Sequence, residues 1–541
     1  MNWKRHLAHA WHPGQIIAFS GLDGPTSYAD GLVARTTVSP AGVEIMDPGS
    51  CKITFVSAPT EGIHFGADHF RFESAAGPVL GAMLDAHHLL ISGECGIISQ
   101  GEIIEVLQGS GRTLVGTKAK FDPQLLHADL DDAFAQRNRW LQKQDLPEEL
   151  SAATGYALTR ALTMMKSQVY SPEGAVRHRW TTPDRWPHKD MWLWDSAFHA
   201  IGWRHLDPAF AREMINAVFD IQQPDGFIPH RLSPAGAVSV FTQPPILAYG
   251  IKLVQETAPD ANWLRQVYPK LEAYIEWDLA HRDSDGGGLA EWYIEEHPEC
   301  RSGESGMDNS PRFDAAVPLD AVDFNAFLAL ECEVLAEFAT QLGQPEDAAK
   351  WTAKHQHLCA LINERLWSEE EQFYCDYNPA QGQRTTVLSS AGFLPLICGA
   401  ATPAQLQALL RHLADPTMFA TAVPIPSIAV RDTEHYSKDM WRGPMWVNIN
   451  WFIARGLERY GCNAEAAALK AATVAEVERT CDKYGTFFEY FDDRREVEPP
   501  QLLRKGICAP ELNPYRQVMH EFGWTATLYV DLILEKKAGA K

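Results

Sequence analysis

The chain has 541 residues, 45% of them hydrophobic, and a formal net charge of -23. That composition excludes a disordered chain, and the length exceeds what one core usually holds, so one large and one smaller domain are expected. The acidic balance argues against a nucleic-acid partner, which needs a basic face, and against adhesion to anionic lipid.

The N-terminal stretch MNWKRHLAHAWHPGQ lacks the apolar run of a signal peptide, and no segment approaches the length of a membrane span. Residues 1–121 read as β-structure. Short runs rich in β-branched and aromatic residues, such as CKITFVSA, IHFGADHFRFE, GEIIEVL and RTLVGTKAKF, alternate with turn residues. Regular turn signals predict a β-sandwich or an open barrel. Residues 122–147 are charged and predict a helical linker.

From 148 to 541 the pattern turns helical. Phe210, Met214, Val218 and Ile221 line one face, and Phe324, Phe327, Leu328, Leu335 and Phe338 another. Asp207-Pro208 and Thr402-Pro403 each place a capping side chain before a proline at the first helical position. Pro269 falls inside a periodic segment and predicts a kink or a split. The pattern gives about twelve helices between 148 and 534. Six helix pairs closed as an (α/α)6 barrel would gather the long loops around one cavity. A superhelical repeat is the alternative, weakened by the lack of a strict period.

Ten cysteines without CxxC pairs read as reduced thiols of a cytoplasmic protein. His188, His199 and His230 lack a metal-ligand spacing, so no metal and no cofactor are expected, a structural calcium being the alternative.

Seventeen tryptophans is a high number, and many stand in loops beside acidic residues. An aromatic face packs on the C–H face of a sugar ring while carboxylates and amides take its hydroxyls; the plain alternative is core filling. In WLWD, Trp192 and Trp194 precede Asp195, a charge inside an aromatic cluster, where desolvation is costly. The loop ESGMDNSPRFD (304–314) offers Glu304, Asp308 and Asp314. Crowding and an apolar pocket would keep one of them protonated near neutral pH, as cleavage of a glycosidic bond requires; a cation site or a solvated turn fits the same residues. Glu489 stands among aromatics in GTFFEYFDD, as a buried base or on the exposed side of a strand. MWRGPMWVNINW (440–451) and EFGWTA (521–526) complete the clusters.

With QPDGFIPH and QPPIL, and in this order between about residues 185 and 534, the clusters resemble glycoside hydrolase family 63, in particular its shorter bacterial mannosylglycerate and glucosylglycerate hydrolase-like and α-glucosidase-like members. The resemblance implies an (α/α)6 barrel with an N-terminal β-sandwich domain and exo-acting, inverting cleavage of a small α-linked sugar substrate. It also implies Asp308 as catalytic acid and Glu489 as catalytic base, with Glu511 and Glu521 as nearby alternatives to the base. Asp195 would hold sugar hydroxyls, and Trp192, Trp194, Gln243, Trp441, Arg442, Trp446 and Trp524 would wall the pocket or bind the substrate. The stretch 492–517 reads as an insert near the cavity mouth. Arg185, His188 and Lys189 offer charge to an anionic aglycone such as glycerate, or are ordinary surface charges. Rival readings are a glycoside phosphorylase, a sugar epimerase on the same barrel, and a non-catalytic carbohydrate-binding protein.

Overall fold

In the computed structural model the described residues are 10–147, 149–509 and 513–535. The N-terminal part carries eleven strands: β1 (Ile16–Ala18), β2 (Val33–Val38), β3 (Ala41–Asp47), β4 (Cys51–Phe55), β5 (Pro59–Phe65), β6 (His69–Ser74), β7 (Val79–Met83), β8 (His88–Ser92), β9 (Cys95–Gln100), β10 (Ile104–Gly109) and β11 (Arg112–Thr117). They form two antiparallel sheets, in the orders β1-β2-β3-β4-β9 and β10-β11-β8-β7-β6-β5. Alternation sends Val43, Ile45, Ile53 and Phe55 of one sheet and Phe70, Phe72, Leu89 and Ile91 of the other into one shared core. The helix α1 (Leu130–Lys143) packs Leu130 and Ala133 onto Ala82, Leu90 and Leu114 on the outer face of the second sheet.

Eleven α-helices follow among the described residues: α2 (Ala152–Ser167), α3 (Leu193–Trp203), α4 (Pro208–Asp220), α5 (Leu247–Thr257), α6 (Ala261–His281), α7 (Val322–Leu342), α8 (Pro345–Leu361), α9 (Pro403–Ala414), α10 (Val447–Arg459), α11 (Asn463–Tyr484) and α12 (Gly523–Leu534). Both expected caps form. Asp207 accepts from the Phe210 amide, and Thr402 with Gln405 makes a reciprocal capping box. Helix α6 runs through Pro269 unsplit. Pro269 lies on the exposed side, where the carbonyl it leaves unbonded meets water. The segment Ser390–Leu396 is a 3₁₀ helix, whose Pro395 lacks an amide hydrogen to donate.

Helix α3 packs on α5 and α12, α5 on α7, α7 and α10 on the 3₁₀ segment, and α10 on α12. Gly202 of α3 faces Thr527 of α12 so closely that a Cβ would stand 2.5 Å from the Thr527 carbonyl oxygen. The sheets are tied to this helical body by buried charge. Lys166 of α2 binds Asp68 at 2.9 Å and Asp23 at 2.7 Å, and Arg160 of α2, itself paired with Glu521, lies 5.4 Å over the Phe65 ring of β5. All ten cysteines are free, and among the described residues no helix is long and apolar enough to cross a membrane.

Candidate active site

A cavity of about 680 Å³ opens where several helices begin. Trp192, Trp194 and Asp195 stand at the start of α3, Gln243 just before α5, Trp446 at the start of α10, and Phe522 and Trp524 at the start of α12. Helix starts carry partial positive charge, which suits a site lined by carboxylates. The tryptophans form one wall. Trp441 stacks on Trp446 with centroids 3.7 Å apart, Trp446 meets Trp524 at 5.8 Å, and Trp524 meets Trp194 edge-on at 5.1 Å. The indole N–H groups of Trp192, Trp441 and Trp524 are buried without a protein acceptor, as is one carboxylate oxygen of Asp195. Buried polar atoms are normally paired, so these four are available to hydroxyls of a bound molecule.

Asp308 and Glu489 line this same cavity although 181 positions separate their numbers. Asp308 lies in an irregular loop that the next motif fastens. Asn309 accepts from the Trp441 amide at 3.0 Å, and Arg442 donates to the Asn309 carbonyl at 3.1 Å and to both oxygens of Asp314. Below the loop, Arg312 is gripped by Asp323 and Asp376. Gly306 has φ +68°, and an added Cβ would stand 2.3 Å from the Trp194 ring, so only glycine lets that indole close over the loop. Glu489 is placed by its backbone, which donates to the Met519 carbonyl at 2.9 Å, and by the Thr525 hydroxyl on the Phe488 carbonyl.

Two consecutive cations that the residue pattern did not single out complete the centre. Arg504 donates to both oxygens of Glu489 at 3.1 and 3.2 Å, and Lys505 stands 2.7 Å from Asp308. Both come from the 492–517 insert, which also brings Tyr515 and Arg516 into the lining. Burial pushes Asp308 upward, but the charge and contact of Lys505, aided by Arg504, outweigh it and hold the group below the ordinary carboxylate value. Asp195 goes the other way. Burial, then the neighbouring carboxylates of Asp184 and Glu489, raise it well above that value, which favours its protonated form. Burial and the adjacent Arg231 depress His230 to about 3, which leaves it neutral.

Several expectations are corrected. Arg442 does not line the cavity; it clamps Asp314 and the Asp308 loop. Glu304 is buried in a salt bridge with Arg282 and accepts from the Thr242 and Tyr293 amides, and Asp314 is exposed. Among the alternatives to Glu489, Glu521 is taken by Arg160 outside the lining, and Glu511 lies outside the described residues. Arg185 is buried over Tyr170 and Lys189 pairs with Asp47. The cations that do reach the cavity are Arg231, Arg504, Lys505 and Arg516, with His188 beside them. Among the described residues one carboxylate group is tight enough for a cation, Asp285, Glu291 and Asp320; none of the three lines the cavity, and Arg365 stands 3.5 Å from Asp320.

Known proteins resemble this arrangement. The family model for a mannosylglycerate hydrolase MGH1-like glycoside hydrolase domain matches residues 187–525, which takes in both carboxylates. The mannosylglycerate hydrolase of Thermus thermophilus is 30% identical over 58% of this chain and 92% of its own length. The glucosylglycerate hydrolase of Mycolicibacterium hassiacum is 22% identical over 57% of this chain and 87% of its own. The crystal structure of a family 63 mannosylglycerate hydrolase from Thermus thermophilus in complex with Tris and D-glycerate aligns with a TM-score of 0.56 at 25% identity, covering 69% of this chain and 99% of that one. A match over more than half the chain, laid on this cavity, leads to one assignment: the chain belongs to the mannosylglycerate hydrolase MGH1-like glycoside hydrolases of family 63.

Proposed function

We propose that the protein is an inverting, exo-acting hydrolase of a small α-glycoside with an anionic aglycone of the glycerate type, Asp308 serving as acid and Glu489 as base. The observation that carries this reading is the joint presence of Asp308 and Glu489 in one tryptophan-walled cavity that also collects Arg231, Arg504, Lys505 and Arg516. Asp308 protonates the leaving oxygen, and Glu489 takes a proton from the water that attacks the opposite ring face. Asp195, neutral and buried, donates to and accepts from sugar hydroxyls while Trp441, Trp446 and Trp524 take the ring faces. Arg231, Lys505 and Arg516 face the aglycone. The helical body is an (α/α)6-type barrel. Its inner ring runs through α3, α5, α7, the 3₁₀ segment, α10 and α12, and the contact of α12 with α3 supports closure.

The test is a screen of α-glucosides, α-mannosides and glycosylglycerates for release of reducing sugar, with and without inorganic phosphate. The expected result is turnover of a glycosylglycerate, independent of phosphate, that falls by about 10²–10⁴-fold in Asp308→Asn and Glu489→Gln. Full activity of either variant removes that residue from the mechanism. A strict need for phosphate makes the enzyme a phosphorylase.

A further inference from the structure

The turn that holds Arg504 and Lys505 treats the two cations differently. Leu503 donates to the Lys438 carbonyl at 3.1 Å, Gly506 donates to Asp439 at 2.8 Å, and Arg516 donates to the Lys505 carbonyl at 3.2 Å. Lys505 itself has φ +55°, an uncommon backbone for a residue with a side chain, so the turn is built and not slack. From it Arg504 reaches inward and makes three bonds, two to Glu489 and one to the Tyr515 carbonyl at 3.0 Å. The Lys505 ammonium has one ion-pair partner among the described residues, Asp308, on the open side of the cavity. The side chains of this pair are 18% and 22% exposed, against 8% and 5% for Arg504 and Glu489.

This creates a conflict with acid catalysis. A general acid must start protonated, yet the ligand-free arrangement presents Asp308 as the anion in an ion pair. The charged and titratable groups facing Asp308 are Lys505, Arg504, Glu295, Cys300 and His230. Arg504 is committed to Glu489, His230 and the Cys300 thiol are neutral, and Glu295 carries the same charge sign as Asp308. Lys505 is therefore the one group whose movement frees the acid.

We propose that Lys505 is a positioning residue that couples recognition of an anionic leaving group to arming of the acid: the carboxylate of the aglycone draws the ammonium off Asp308, and Asp308 then takes up the proton it donates. The inference rests on the reading of Asp308 as acid. Asp308 gains its proton from solvent as the ammonium leaves. That proton passes to the glycosidic oxygen as the bond from the sugar C1 to that oxygen breaks. Water supplies the new bond to C1 and yields its proton to Glu489, which returns it to solvent in place of the one Asp308 took up, so sugar and aglycone alcohol leave with no other reactant consumed. With Lys505 gone, burial dominates at Asp308 and its value rises. The enzyme thus selects anionic aglycones in kcat as well as in KM.

The experiment compares wild type, Lys505→Met and Lys505→Arg on one α-glycoside with a neutral aglycone and on its counterpart carrying a carboxylate. In Lys505→Met the alkaline limb of kcat/KM on the neutral substrate is expected to move up by about one to three pH units, and the kcat preference for the anionic substrate to shrink by about tenfold or more. Lys505→Arg is expected to restore the limb toward wild type. An unmoved alkaline limb with an unchanged kcat ratio overturns the role of Lys505. Asp308→Asn on the matching α-glycosyl fluoride, whose leaving group needs no proton, separates the two layers. Activity kept on the fluoride and lost on the glycosides upholds Asp308 as acid whatever Lys505 does; loss or retention on both overturns the assignment beneath it.

Discussion

Asp195 is a carboxyl whose neutral form the cavity favours. It is buried at the first turn of α3 with one oxygen unpaired, and Asp184 and Glu489 both oppose its ionisation. A neutral carboxylic acid both donates and accepts, as an amide does, whereas alanine leaves the sugar hydroxyls facing nothing. Asp195→Asn is therefore expected to lose about tenfold in kcat/KM, and Asp195→Ala about a hundredfold or more, because an unsatisfied buried partner costs about 1–3 kcal/mol. Equal losses in the two variants would show that Asp195 acts through its charge. At this scale the residue pattern singled out Trp192, Trp194, Asp195, Asp308 and Glu489, which share one cavity lining, because acids set among aromatics are costly unless used. It missed Arg504 and Lys505, since RKG in a polar stretch carries no local signal. Their meaning lies in ion pairs to Glu489 and Asp308, 15 and 197 positions away. The resemblance set Arg442 among the pocket residues, whereas its partner is Asp314, 128 positions away.

At the scale of elements, the cavity depends on loops held at helix starts. Caps such as Asp207 and Thr402 are local and were legible; the 3₁₀ segment 390–396, which carries no such local signal, was not. The Asp308 loop is set by Gly306 beneath Trp194. Gly306→Ala is expected to lower stability by about 1–3 kcal/mol, from overpacking against the indole and from the left-handed backbone. It should also lower kcat, because Asp308 follows two residues later. Thermal melting and steady-state kinetics check both; a variant with unchanged Tm and kcat would mean that the loop does not close under Trp194. A second device is the clamp of Arg442 on Asp314 and the Asn309 carbonyl. Its ion pair is partly exposed and so contributes little to stability. Arg442→Gln is expected to shift Tm hardly at all while kcat falls, and a fall in Tm without loss of kcat would contradict the clamp.

Across the whole molecule, buried charge joins distant segments. Asp531 of α12 binds Arg204 at 2.8 Å, Arg455 at 2.8 Å and His205 at 2.8 Å, and it anchors the α3, α10 and α12 side of the helical ring. Burial opposes its charge, but His205, Arg204 and Arg455 outweigh burial and hold its value well below the ordinary range. A depressed carboxylate gives stability that is fully present above its unfolded value of about 4 and is lost as pH falls toward the folded one. Asp531→Ala is expected to cost about 3–5 kcal/mol at neutral pH, since it strands two arginines. Its urea-unfolding stability should depend less on pH below about 4 than that of the wild type; equal pH slopes would contradict the linkage. The chain carries a formal net charge of -23, yet the cavity lining collects Arg231, Arg504, Lys505 and Arg516 beside its carboxylates. That local gathering of cations is what the composition alone could not display.

The central claim is that Asp308 and Glu489 act from opposite faces of one sugar ring. Proton NMR of the first sugar released from an α-glycoside, recorded before mutarotation, tests it most directly. The β-anomer is the expected product; release of the α-anomer would require a covalent glycosyl intermediate and contradict inversion across this pair.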